Sequence, residues 1–299
     1  GLFSNLRSQF LGASELMEIK HKDSGQVLAT INADSLTAAD LREYDLRGAD
    51  LIGLDMQGAD FLNSDLSGAD LSHANLGHAK LQGARFNNAI LHKANLSHVS
   101  AGAAHRGDAV VFNEADLTCV NFDRADLRNT EMRNANLELA FLCNSDSRDA
   151  DFSGSYMHKL KARRALLIGV NFSGTDLTEA DFRDSHLNSA NLRGANLQRA
   201  DLSTLSPGGY TVLNLANLED ADLTNANMRG TQVEKADFRN ANISNADFTG
   251  AVLGGSNMRR ANVSDTDFND VELATVNMEY ANFSQAKNAD IPSYKMHLR

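Results

Sequence analysis

A bulky hydrophobic residue recurs at every fifth position along most of this chain: Leu41, Leu46, Leu51, Met56, Phe61, Leu66 and Leu71, continuing to Leu96. Two residues before most of these beats stands a small one, as in Ala49, Ala59, Ala69, Ala74 and Ala79, and the residue between is usually Asp or Asn. The unit is A-(D/N)-L-x-x. A period of five fits neither the helical period near 3.6 nor the strand period of 2, so each unit must turn a corner and the chain must coil. Internal repeats of this kind constrain the fold before any local propensity does.

The beat can be followed by residue number. Centres end in 1 or 6 from Leu36 to Leu96, in 2 or 7 from Phe112 to Leu202, and in 3 or 8 from Leu213 to Phe283. The register therefore slips twice, which places loops at residues 97–111 and 203–212. The second contains Pro207, Gly208 and Gly209, a strong turn signal. Between residues 145 and 168 the repeat is at its most degenerate.

With its motif repeated at 47 centres in three registers, the chain resembles the pentapeptide repeat family over roughly residues 34–285. The resemblance implies an all-β fold: a right-handed quadrilateral parallel β-helix in which four units complete a coil of about 20 residues, with about 12 coils. The centre and the small residue would point inward and the other three outward. The chemistry agrees, because Ala or Ser lets corners close while Leu or Phe fills a narrow interior at near-crystalline density. Coils spaced ~4.8 Å apart give a rod on the order of 55 Å long. A solenoid grows by adding coils, so 299 residues require no second core.

The expected organisation is an N-terminal cap over 1–33, the β-helix over 34–285 and a C-terminal cap or tail over 286–299. Within the first segment, Leu2, Phe3, Leu6, Phe10 and Leu11 are spaced like one face of a short helix, suited to packing on the cap, to a dimer contact or to a membrane surface. Residues 17–22 and 26–31 flank Asp23-Ser24-Gly25 and read as a β-hairpin that covers the open first coil. Asp290 to Tyr294 leaves the repeat and is expected to plug the last coil. There is no run of about 18 apolar residues, so no stable membrane insertion is expected, and no secretory pattern precedes the repeats. Asn5 stands where a myristoylation motif wants Ser or Thr. Cys119 and Cys143 fall at outward positions out of coil register, which suits two free thiols in a reducing, cytoplasmic setting.

Nothing in the sequence pairs a nucleophile with a base, forms a phosphate-cradling glycine loop or clusters Cys with His. The abundant Asp is explained by the turns it can bond. The chain reads as a non-enzymatic protein without a cofactor. His78 and His98 should stack one coil apart, but two imidazoles are too few for a structural zinc site.

Charge is unevenly placed within a balance of −11. Residues 34–70 hold nine acids against Arg42 and Arg47, whereas residues 71–107 hold none. Coil arithmetic stacks Asp40 on Asp60, Asp45 on Asp65 and Asp50 on Asp70, on three sides, as an acidic belt. At ~5 Å in water each like pair costs on the order of 1 kcal/mol. A basic cluster follows at 158–164, with Lys159, Lys161, Arg163 and Arg164.

Two functions fit. One is a scaffold that binds a protein partner through the acidic belt, His105 and Arg106 in the first loop, the 158–164 cluster, and Pro207 and Tyr210 in the second loop. The other comes from the family resemblance, whose members include dimeric acidic rods that mimic DNA and modulate type II topoisomerases. That implies DNA gyrase or topoisomerase IV as partner, and a homodimer. This chain departs from the pattern in its length, in loops about five coils apart, in its basic interruptions and in lacking an evident apolar C-terminal dimer helix. Direct nucleic-acid binding is not expected, because the basic segments are short and the pI is about 5.2.

Overall fold

The computed structural model describes residues 16–292. The helix expected from Leu2 to Leu11, and Ser293 and Tyr294 of the expected plug, lie outside the described residues.

Two strands open the described chain, β1 (Leu16–Lys20) and β2 (Val27–Asn32), paired antiparallel. The hairpin expected around Asp23-Ser24-Gly25 is therefore present. Its turn closes because the His21 ring accepts bonds from the Asp23 and Ser24 amides while the Gly25 amide donates to the His21 carbonyl. The hairpin is sewn onto the first coil through the Asp50 amide to the Lys20 carbonyl at 2.8 Å and the Lys22 amide to the Gly48 carbonyl at 2.9 Å.

From Leu36 onward the chain forms a β-solenoid whose wall consists of single parallel bridges between residues 20 positions apart, such as Asp40 with Asp60 and Asp60 with Lys80. The bridges fall into four columns, so the coil has four sides. They are numbered here by their first bridged residue: Asp40 (first), Asp45 (second), Asp50 (third) and Asp55 (fourth). The three predicted Asp stacks are all present. Centres and small residues fill the interior with near-zero exposure. Phe86 stacks on Phe112 at 4.8 Å and Phe152 on Phe172 at 5.3 Å between centroids.

Most corners are turns in which the small residue's amide bonds the preceding centre's carbonyl, as from Ala49 to Leu46 at 3.0 Å, while the Ala135 and Ala236 amides donate to the Ser155 and Ser256 hydroxyls. The second corner residue takes a left-handed backbone, with φ 57° at Leu139 and 68° at Gly48. That explains why Gly and Asn crowd this position, since other L-residues pay a steric penalty there. Where Ser or Thr replaces the small Ala, its hydroxyl bonds an interior carbonyl, as Ser64 does to Phe61 at 2.6 Å and Ser155 to Met132 at 2.6 Å. A buried hydroxyl without a partner would be costly, so this pairing keeps the substitution cheap.

The stretch at 145–168, degenerate in motif, is regular in the wall. Bridges continue through Asp146, Asp151, Tyr156, Lys161 and Leu166. Ser147 occupies a centre, fully buried, and lies 2.9 Å from the Ser145 hydroxyl. A hydroxyl pair fills the place of one leucine, so the motif degrades while the coil does not.

The two register slips are real but shorter than expected. Arg85 bridges Val111 and His186 bridges Val212, 26 positions apart instead of 20, so each insertion adds six residues to one coil. Residues 97–101 remain in the wall, with Ala101 a fully buried centre, and Thr211 and Val212 have already rejoined it. A small centre at 101 hid the first of these from a search for bulky beats.

Candidate functional site

The two insertions border the same side of the rod. The first leaves the corner between the first and second sides, after Ala101. The second leaves the corner between the fourth and first sides, after Leu202. Along the first side the wall residues between them run Ser100, Asp126, Asp146, Leu166, His186 and Val212, five steps of ~4.8 Å, or about 24 Å.

Both insertions are tied down. In the first, a 3-10 turn spans Arg106–Asp108, and the Arg106 guanidinium donates to the carbonyls of Thr130, at 3.2 Å, and Asp149. The Asn129 amide donates to the carbonyls of Ala103 at 2.8 Å and Ala104 at 3.2 Å. A side chain at Gly102 would collide with the Arg128 backbone, so only glycine lets the loop depart so close to the wall. Arg106 straps the loop and, like His105, stays exposed.

In the second insertion, Asp184 of the preceding coil accepts the Leu205 amide at 3.0 Å and the Ser206 hydroxyl at 3.3 Å. Thr211 receives the Asp184 amide at 2.9 Å and donates to the Ser203 carbonyl at 3.0 Å. Pro207 is exposed, and Tyr210 is 54% exposed. Asn129 and Asp184 were not legible as functional residues, because each looks like any other corner residue in the repeat.

The acidic belt is only partly acidic. As expected, each Asp bonds its own turn, for example the Leu62 amide to Asp60 at 3.0 Å. Arg42 also grips Asp40 at 2.8 Å and reaches Asp60 at 3.9 Å; Arg47 grips Asp45 at 2.7 Å and Arg85 grips Asp65 at 3.0 Å. The guanidinium N–H groups of Arg42 and Arg47 hold the carboxyls of Asp40 and Asp45 at about 2. The first two sides are thus largely neutralised. Among the described residues Asp34, Glu43, Asp50, Asp55 and Asp70 have no ion-pair partner within 4 Å, so within the wall the unbalanced charge sits mainly on the third side and the edge of the fourth. The belt becomes a patch because the arginines two residues after Asp40 and Asp45 fold back on them.

The basic cluster also divides. Arg163 meets Asp181 at 2.6 Å, and Lys161 lies over the Phe141 ring at 5.2 Å. Lys159 and Arg164 are exposed, with no ion pair among the described residues. The His78 and His98 rings stack as expected, 4.6 Å apart and 7° from parallel. Among the described residues there is no group of three or more His, Cys, Asp or Glu placed to hold a metal ion. Cys119 and Cys143 are both free and half-buried, and burial raises the Cys143 thiol above its usual range.

The first side changes character below Asp146. Its next five wall residues, Leu166, His186, Val212, Gln232 and Val252, include no carboxylate. Exposed apolar groups adjoin them: Ile168 and Leu215 at one corner and Tyr210 at the other.

No curated protein matches the chain. Among solved structures, the chain is similar to HetL, a pentapeptide repeat protein involved in heterocyst differentiation regulation in the cyanobacterium Nostoc sp. strain PCC 7120, with 24% identity, a TM-score of 0.51, and 81% of this chain and 92% of that chain covered. Full-length QnrB1, a plasmid-mediated fluoroquinolone resistance protein, aligns at 18% identity with a TM-score of 0.42, covering 67% of this chain and 95% of that one. At these identities the likeness to HetL speaks for the fold alone. The sequence model for pentapeptide repeats matches in 8 copies over residues 35–68, 69–101, 108–142, 165–203, 216–255 and 256–287. Its gaps fall on the two insertions and on the degenerate stretch that the structure shows to be regular. Repeat, wall and corners agree over most of the chain, which belongs to the pentapeptide repeat family.

Proposed function

We propose that this chain is a non-enzymatic scaffold that binds a protein partner along its first side and the two insertions beside it. The observation that carries this is the strapping of both loops. Each is held by named side chains against the same side while His105, Pro207 and Tyr210 remain exposed. Loops fixed in advance lose little entropy on binding, which favours recognition. The right-handed sense is taken from the family likeness, the count of about twelve coils from the 47 centres at four to a coil, and a cytoplasmic setting fits the two free thiols. No helix among the described residues is long and apolar enough to cross a membrane.

The test removes residues 204–209, which restores the five-residue register. The shortened chain should fold with an unchanged circular dichroism spectrum and lose affinity for a partner captured from its native host. Unchanged affinity would refute the role of the second insertion.

A DNA-mimic modulator of DNA gyrase or topoisomerase IV is the other reading, favoured by the uncompensated Asp50, Asp55 and Asp70. The arginine pairing of Asp40, Asp45, Asp60 and Asp65 weighs against it, since a mimic needs its carboxylates free. A supercoiling assay with micromolar protein separates the two: inhibition, or protection from a quinolone, supports the mimic, and neither effect removes it.

A further inference from the structure

The acid-free stretch of the first side has an internal symmetry. Read along the rod, its wall residues are aliphatic, polar, aliphatic, polar, aliphatic: Leu166, His186, Val212, Gln232, Val252. The pattern is a palindrome centred on Val212. By count along the chain it is closed at both ends by acids at the same step from the centre, Asp146 above and Glu272, 20 positions after Val252, below.

We propose that this face binds a second copy of the chain, face to face and antiparallel, about a two-fold axis passing beside Val212. Such an axis lies in the interface and reverses height along the rod while leaving each corner opposite its own counterpart. Val212 then meets Val212, Leu166 meets Val252 of the second copy, and His186 meets Gln232, a neutral hydrogen-bonding pair. At the corners Tyr210 and Leu215, 54% and 60% exposed, each meet their own mates. Ile168 falls over Gly254 and Gly255 of the second copy, where the corner carries no side chain to obstruct it. A C2 contact requires a self-complementary surface of this kind.

Charge selects a second copy as the occupant. For a chain of net charge −11, most self-contacts set carboxylate against carboxylate. The second side carries Glu131, Asp151 and Asp237, and the third carries Asp116, Asp176 and Asp222. The fourth has an acid-free run from Asn75 to Lys161, but it consists mostly of amides and ends on a cation stacked on Phe141. Over these five rungs the first side can face itself without like-charge repulsion; carboxylates meet only at the two ends, Asp146 against Glu272, and there Arg148 already pairs Asp146 at 2.7 Å. Five rungs at ~4.8 Å, with both corners, offer roughly 400 Å² per copy, about half of what a standard stable interface buries. The dimer is accordingly weak, forming at high micromolar protein.

The experiment measures mass by sedimentation equilibrium from about 5 µM to about 0.5 mM, without any partner, so its outcome does not depend on the scaffold reading, whose partner would compete with the second copy for this face. Wild type should pass from monomer to dimer over this range. Val212→Asp, at an outward position beside the axis, should stay monomeric with an unchanged melting temperature. Register is tested by two double variants. His186→Glu with Gln232→Lys places opposite charges across the axis and should tighten the dimer about fivefold at low salt; His186→Lys with Gln232→Lys should weaken it similarly. A wild type monomeric throughout, a dimer that survives Val212→Asp, or double variants that behave alike would each overturn the proposal.

Discussion

The wall and the insertions of this rod are stabilised in opposite ways. In the wall every bond has a copy one coil above and one below: the Leu46 amide reaches the Asp65 carbonyl and the Leu66 amide reaches the Arg85 carbonyl, each at 2.7 Å. Such redundancy is what nearest-neighbour repeat energetics predicts, and one weak unit is carried by its neighbours. The insertions have no copies. The first depends on Arg106 and Asn129, the second on Asp184 and Thr211, and the loss of one anchor has no neighbour to absorb it. The wall should therefore fail through its interior, whereas the insertions should fail through single polar residues.

The largest expected effect lies in the wall interior. Phe172 packs between Phe152 and Phe182, at 5.3 and 5.9 Å, and Phe172→Ala should cost about 3–5 kcal/mol in urea unfolding by leaving a cavity the coil cannot close. Next comes Asp184→Ala, which releases the Leu205 amide and Ser206 hydroxyl; about 2 kcal/mol should be lost. Limited proteolysis should then cut within residues 204–209, and cleavage spread equally along the wall would contradict the contrast between the two regions.

Arg106→Met should cost about 1 kcal/mol, because the Thr130 carbonyl keeps the Asp151 amide at 2.9 Å when the guanidinium is lost. Faster amide exchange confined to 103–108 is the readout. At the wall's corners a gain is expected: Leu139 is held at φ 57°, and Leu139→Gly should stabilise by about 0.5 kcal/mol, measured as a raised urea midpoint.

The smallest effect is on pH dependence. Asp45 titrates in the folded chain at about 2, below its unfolded value, so its contribution is present above about pH 4 and is lost as pH falls through about 2. Arg47→Met should flatten that part of the acid unfolding profile. Since both groups are largely exposed, the change is small. A profile identical to wild type would mean that the pair does not form in solution.

Much of this structure can be read from the repeat. A centre every five residues implies a coil, and the stacks of Asp40 on Asp60 and His78 on His98 follow from counting once the family resemblance supplies four units per coil. The corner conformation also has a trace in the sequence, in the Gly and Asn that accumulate two residues after the centres. The reading failed where identity and position part company. Ser147 and Ala101 hold buried centres that no hydrophobic beat marks. Asp184 and Asn129 are ordinary corner residues until an insertion folds against them.

The sequence by itself determined the periodicity, the two inward and three outward roles and the places where the register slips, because those depend on local turn geometry repeated many times. Which side each insertion borders, which carboxylates keep their charge and which wall residues form an acid-free face were decided by the tertiary structure. These properties depend on what lies 20 or 26 positions away in the next coil, and a pattern of five residues does not contain that distance.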